Sequence, residues 1–210
     1  MMTEPRRHVA VIWVTVGVAI CMVSVARAAG GPWVGVIASA SIEHRHALSL
    51  ESGYPTGGLM GMLGGGLVLR PVSSVDVSVV AAEGSASTDY RLTGGERTIQ
   101  DEQWSTAIAL DYMLTGSAVA PFVGFSGQYA GAHSKLLGAP SEIVVTSTLR
   151  TYALRAGARV KAAHGLQVRA WLAGGPSYGD ARDAATGNGY RWTRPSAAAG
   201  LGLEWMLPAH

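Results

Sequence analysis

The sequence predicts an all-β protein: an eight-stranded antiparallel up-and-down transmembrane β-barrel preceded by a cleaved signal peptide. Three observations carry this. Eight segments alternate apolar with small or polar residues at period two, the pattern of strands with one apolar face. The connections between them alternate short and long. The non-apolar parity is mostly Gly, Ala and Ser with few charges, too poor in Lys and Glu for a water-facing wall.

The N-terminus is read first as an export signal. Arg6-Arg7-His8 is a basic start, Val9 to Val25 is an apolar run, and Ala26-Arg27-Ala28 is an A-x-A exit. A membrane anchor is the competing reading, but the small-residue exit and the strand pattern after it favour cleavage. Residues 1–28 are therefore expected to be signal peptide and residues 29–210 the barrel domain. Such cleavage would remove Arg6, Arg7, Arg27, Glu4 and the chain's one cysteine, Cys21. Basic and acidic residues then balance, so charge offers nothing to nucleic acid. A cysteine-free exported domain needs stabilisation other than disulfides, and closure of a sheet within a membrane supplies it.

The first segment sets Val34, Val36, Ala38, Ala40 and Ile42 against Gly35, Ser39, Ser41 and Glu43. In the second, Leu59, Leu63, Leu67 and Leu69 oppose Met60, Met62, Gly64 and Gly66. In the third, Val75, Val77, Val79 and Ala81 oppose Asp76, Ser78, Val80 and Ala82. The fourth is the clearest: Trp104, Thr106, Ile108, Leu110, Tyr112 and Leu114 on one parity, with Ser105, Ala107, Ala109 and Asp111 on the other. The fifth carries Pro121, Val123, Phe125, Gly127 and Tyr129 against Phe122, Gly124, Ser126 and Gln128. The sixth sets Tyr152, Leu154, Ala156, Ala158 and Val160 against Thr151, Arg155, Gly157 and Arg159. The seventh opposes Leu166, Val168, Ala170 and Leu172 to Gln167, Arg169 and Trp171. The eighth opposes Ala197, Ala199, Leu201, Leu203, Trp205 and Leu207 to Ser196, Gly200, Gly202 and Glu204.

Tight turns are expected around Pro71–Ser74, Thr115–Ser117 and Ala162–Gly165. Long polar loops are expected around Glu43–Thr56, Ser85–Gln103, Ala132–Glu142 and Gly179–Pro195. Short turns at one end and longer loops at the other characterise outer-membrane barrels. The apolar parity then faces lipid. Trp104, Tyr129 and Tyr152 fall near the outer interface, and Tyr112 and Trp205 near the periplasmic one.

On the inward parity this arrangement gathers Asp76, Asp111, Arg155, Arg159, Arg169 and Glu204 near the periplasmic end, with Arg159 and Arg169 as expected partners of Asp111. Charges in a narrow lumen are costly unless paired. An eight-stranded barrel is only wide enough for side chains to fill it, so the cluster is read as a structural plug in preference to a polar pathway. Other chemistry is thinly supported. His44 and His46 share a strand face, but two ligands do not make a metal site. His133, Ser134 and Glu142 could suggest a hydrolase, yet neighbours on a strand point to opposite faces. Tyr90, Arg91, Tyr190, Arg191, Trp192 and Arg194 could meet lipopolysaccharide phosphates or simply form polar surface. Gly64-Gly65-Gly66 lies within a strand pattern and cradles no phosphate.

The segments TAIALDYML (106–114), APFVGFSGQYAG (120–131) and AAAGLGLEWML (197–207) resemble the small outer-membrane β-barrel family of the OmpA/OmpX type, often described as porin-like. The resemblance implies an integral outer-membrane protein with periplasmic termini, a structural or surface-interaction role and no catalytic site, cofactor or metal. It also implies partners: the lipid bilayer, lipopolysaccharide and the barrel-insertion machinery, with a possible surface partner at the loops and no nucleic acid. That machinery reads a final-strand aromatic, commonly Phe, where this chain has Trp205 and Leu207. A lipid-modifying hydrolase and a soluble exported barrel with a small apolar ligand are the alternatives.

Overall fold

The computed structural model describes residues 33–45, 58–92, 95–114, 118–137, 143–163, 165–184, 186–187 and 189–207. The strands are β1 (Trp33–Arg45), β2 (Gly58–Val72), β3 (Val75–Leu92), β4 (Gly95–Met113), β5 (Val119–Leu137), β6 (Ile143–Ala163), β7 (Leu166–Asp183) and β8 (Gly189–Leu207). Each pairs antiparallel with the next, and β1 pairs with β8 to close the barrel. The closing register runs from Val34↔Leu207 to Glu43↔Ala198. Closure leaves the sheet without an edge in its membrane-height section, so backbone donors and acceptors there meet one another rather than needing water.

One end carries the tight connections. Ser73 and Ser74 form the turn between β2 and β3, and Gly165, at φ +73°, precedes β7. Residues 115–117 lie outside the described residues, but Leu114 N–H donates to the Pro121 carbonyl across that turn at 2.9 Å. We refer to this as the turn end; Trp33 and Leu207 lie there too.

At the opposite end the structure corrects the expected loops. Over Ser85–Gln103 the chain does not leave the sheet: β3 and β4 stay in register as far as Leu92↔Gly95. Strands β5 and β6 likewise extend to Leu137 and from Ile143, and β7 and β8 pair through Arg182↔Gly189. The reason is that backbone pairing needs no apolar face. Alternation in the sequence marks the height of the apolar belt, whereas backbone pairing carries a polar ribbon well beyond it. The β7–β8 ribbon is capped by Asp183, which accepts from Thr186 Oγ1 at 2.9 Å. The first long connection, 46–57, lies outside the described residues.

The outside is apolar. Leu63 and Leu154 are 73% and 74% exposed, and Ile108, Leu110, Phe125, Leu172, Leu201 and Leu203 are exposed beside them. Tyr112 and Trp205 stand exposed toward the turn end. Toward the ribbon end, Trp104 and Tyr129 approach at 5.6 Å between ring centroids. Tyr152 stacks on Phe125 at 6.5 Å and meets Tyr178 edge-on at 6.3 Å. Tyr152 lies where the β6–β7 ladder lapses, between Thr151↔Ser177 and Leu154↔Gly174. Pro176, which has no N–H, sits in that gap.

Inside, small apolar groups fill the turn end. Ile37, Val68 and Met206 pack together, as do Met113, Ala120 and Phe122 with Trp171 beside them. Inward glycines let walls and side chains approach. A Cβ on Gly124 would collide with the Leu110 carbonyl and the Asp111 carboxylate. Gly124→Val should therefore lower the unfolding free energy by about 1–3 kcal/mol, as overpacking does; urea titration of the refolded barrel in lipid vesicles measures it.

Candidate functional site

The lumen is charged where it is narrow. Asp76 near the start of β3 lies directly opposite Asp111 near the end of β4. Arg159 on β6 lies directly opposite Arg169 on β7. Like charges facing each other across a ladder repel. Each pair is neutralised in part by the other, across the lumen, and in part by Arg70, Arg155 and Glu204.

Asp76 is the hub. It accepts from Arg70 Nε at 2.6 Å and from Arg159 Nη1 at 2.9 Å, and Arg169 Nη2 bonds it closely as well. Arg169 is 1% exposed. Its Nη1 reaches Asp111 Oδ2 at 2.6 Å, and its Nε lies 2.6 Å from Glu204 Oε1, an ion pair that is not aligned as a hydrogen bond. One guanidinium thus touches three carboxylates. Arg155 is held more loosely: Nη1 is 3.8 Å from Asp111 Oδ2, and the guanidinium stacks over Trp171 at 4.8 Å. Arg169 lies over the Phe122 ring at 5.1 Å.

The structure thus brings Asp76, Asp111, Arg155, Arg159, Arg169 and Glu204 into one network, with one change of partner. Asp111 pairs with Arg169 and Arg155, whereas Arg159 turns to Asp76. Sequence reasoning missed one charged member. Arg70, the last inward residue of β2 before Pro71, grips Asp76, and its Nη2 donates to Gln167 Oε1 at 3.2 Å. Continuing the parity of Met60 and Met62 to residue 70 would have found it. The adjacent turn proline obscured it.

Nearer the ribbon end, Glu43 on β1 accepts from Gln128 Nε2 at 3.0 Å and Gln103 Nε2 at 3.4 Å. Thr151 and Ser177 share a hydrogen bond of 2.7 Å. These are polar contacts inside the tube and away from the charge network.

The remaining candidates do not converge. His133 and Ser134 are neighbours on β5, paired with Thr146 and Val145, and so point to opposite sides of the wall. Glu142 and His46, and the side chains of His44, Tyr90, Arg91 and Tyr190, lie outside the described residues. Arg191 belongs to β8, not a loop, and makes an exposed ion pair with Asp180 at 2.9 Å. The Trp192 ring covers Gly179, and Arg194 lies 5.9 Å from it. Among the described residues no three His, Cys, Asp or Glu side chains group to hold a metal.

No protein-family model matches the chain, and no curated protein sequence does. Solved structures do. The outer-membrane protein OprG of Pseudomonas aeruginosa superposes with a TM-score of 0.56 at 14% identity, covering 85% of this chain and 97% of that one. The outer-membrane protein AlkL, solved in lipid bilayers, superposes with a TM-score of 0.51 at 12% identity, covering 85% and 91%. Strand number, antiparallel order, closure and this likeness agree: the chain has the fold of the small eight-stranded outer-membrane β-barrels of the OmpA/OmpX type.

Proposed function

We propose that this protein is an integral outer-membrane barrel with a side-chain-filled lumen, acting as a structural or surface-interaction element without a catalytic site. One observation carries the reading: the solvation pattern of a soluble protein is inverted. Large aliphatic residues such as Leu63 and Leu154 are about three-quarters exposed, while Asp76, Asp111 and Glu204 are wholly buried. Such an exterior is stable only against hydrocarbon, with the polar parity turned inward.

In this reading the turn end and both termini face the periplasm, and the long ribbons project outward. Arg150 faces outward between Tyr129 and Tyr178, its register partners on the neighbouring strands, with Arg182 and Arg191 further up. Cations just above an aromatic girdle suit the phosphates of lipopolysaccharide. Exposed Trp205 and Leu207 on β8 would be offered to the insertion machinery. The lumen is sealed rather than conducting. Breaking a buried pair leaves an uncompensated charge, so the network fastens the strands across the tube.

Three measurements test this. Planar-bilayer recording of the refolded protein should show no steady conductance; a large, stable pore would overturn the sealed lumen. Ile108 lies midway between Trp104 and Tyr112 on the outward face, so Ile108→Arg should lose about 2–4 kcal/mol of folding free energy in vesicles. Asp76→Asn should lose about 3–5 kcal/mol, whereas Asp180→Asn, which removes an exposed pair, should lose less than about 1 kcal/mol. Equal losses for the two would show that the lumen network fastens nothing.

A further inference from the structure

Between the charge network and the ribbon end lies a cavity of about 120 Å³. Arg155, Arg169 and Trp171 border it on the turn side, and Glu43 and Gln128 on the other. Small residues hold it open, among them Ala107, Ala109, Ala153 and Ala173. Its volume suits several waters or one small organic ion.

The charges at its two ends are unbalanced in opposite senses. Below, four guanidiniums meet three carboxylates, so one positive charge is in excess. The loosest of the four is Arg155. Its side chain is nine-tenths buried, its one ion pair is 3.8 Å long, and its Nε has no hydrogen-bond partner. Above, Glu43 is a carboxylate held only by two amide N–H groups, with no cation against it among the described residues. The surplus cation and the surplus anion thus line one cavity without touching each other. A buried charge is stable when it is paired and hydrogen-bonded. Water would solvate both ends, but a single solute carrying both charges would pair both.

We propose that this cavity binds a small zwitterion of about the size of glycine, its ammonium toward Glu43 and its carboxylate toward Arg155. Hydroxyls of Ser78, Ser105, Ser126 and Thr151 on the cavity wall supply further hydrogen bonds. Gln103, which donates to Glu43, borders the wide opening at the ribbon end, so the Glu43–Gln103–Gln128 bridge separates the cavity from the outside. The charge network closes the other end. The site is therefore a blind cup whose one way in, from the ribbon side, runs past the Glu43–Gln103–Gln128 bridge, and it does not depend on whether the network below conducts.

The test uses the full barrel, refolded in micelles with ¹⁵N label, and reads the Trp171 indole N–H resonance, assigned by its loss in Trp171→Phe. Glycine should shift it saturably. Acetate and methylammonium, each carrying one of the two charges, should bind about tenfold more weakly or worse, and so should glycine to Glu43→Gln and to Arg155→Gln. Heat-modifiable gel migration confirms that each variant is folded. If Arg155→Gln does not fold, Glu43→Gln decides alone, since its amide preserves the bulk at that position. No saturable shift with glycine overturns the proposal. So does an acetate response equal to that of glycine and unaffected by Glu43→Gln, which would mark a simple anion site.

Discussion

Two facing pairs of like charge, Asp76 with Asp111 and Arg159 with Arg169, set the constraint that the rest of the barrel meets. Either pair alone makes its own hairpin worse, because equal charges on opposed residues repel. A sheet that curls until β3 and β4 face β6 and β7 brings the two pairs together and relieves both penalties at once. Closure by β1 and β8 then completes the wall and brings Glu204 to Arg169. In a soluble protein an apolar core would drive such closure. Here most large apolar side chains are on the outside, and the inward parity adds electrostatic reasons to be a tube to those of a small apolar floor.

Small residues make that possible. Gly124 lets β5 pass over the Asp111 carboxylate, and Gly200 accommodates the Trp171 ring that also supports Arg155. The apolar groups at the turn end, Phe122 and Met113 among them, exclude water beneath the network and strengthen each ion pair within it. The lumen is thus layered along its length: an apolar floor, a charged layer, a small cavity, and an amide-held carboxylate.

Architecture was legible in the sequence because period two is a local property. The run Trp104 to Leu114 fixes which side chains face out, and Asp111 falls inward as a consequence. What the sequence left open depends on non-local geometry. The choice of Arg155 rather than Arg159 for Asp111 follows from the stagger between strands, which parity does not encode. Arg70 was hidden by its place beside a turn. The polar ribbons were mistaken for loops because alternation reports contact with hydrocarbon, and they have none. Glu43 fell on the inward parity but was placed at the start of the first long loop, and its glutamine partners come from β4 and β5, which no local pattern links to β1.

Arg169 has a consequence for lifetime as well as for strength. The network it centres draws residues from β2, β3, β4, β6, β7 and β8, so no partly assembled sheet contains all of it. Contacts completed last are absent from the folding transition state and act chiefly on the rate of unfolding. The central guanidinium is therefore a latch. It does little to hurry the barrel into the membrane, and it slows the assembled barrel's departure from its native state.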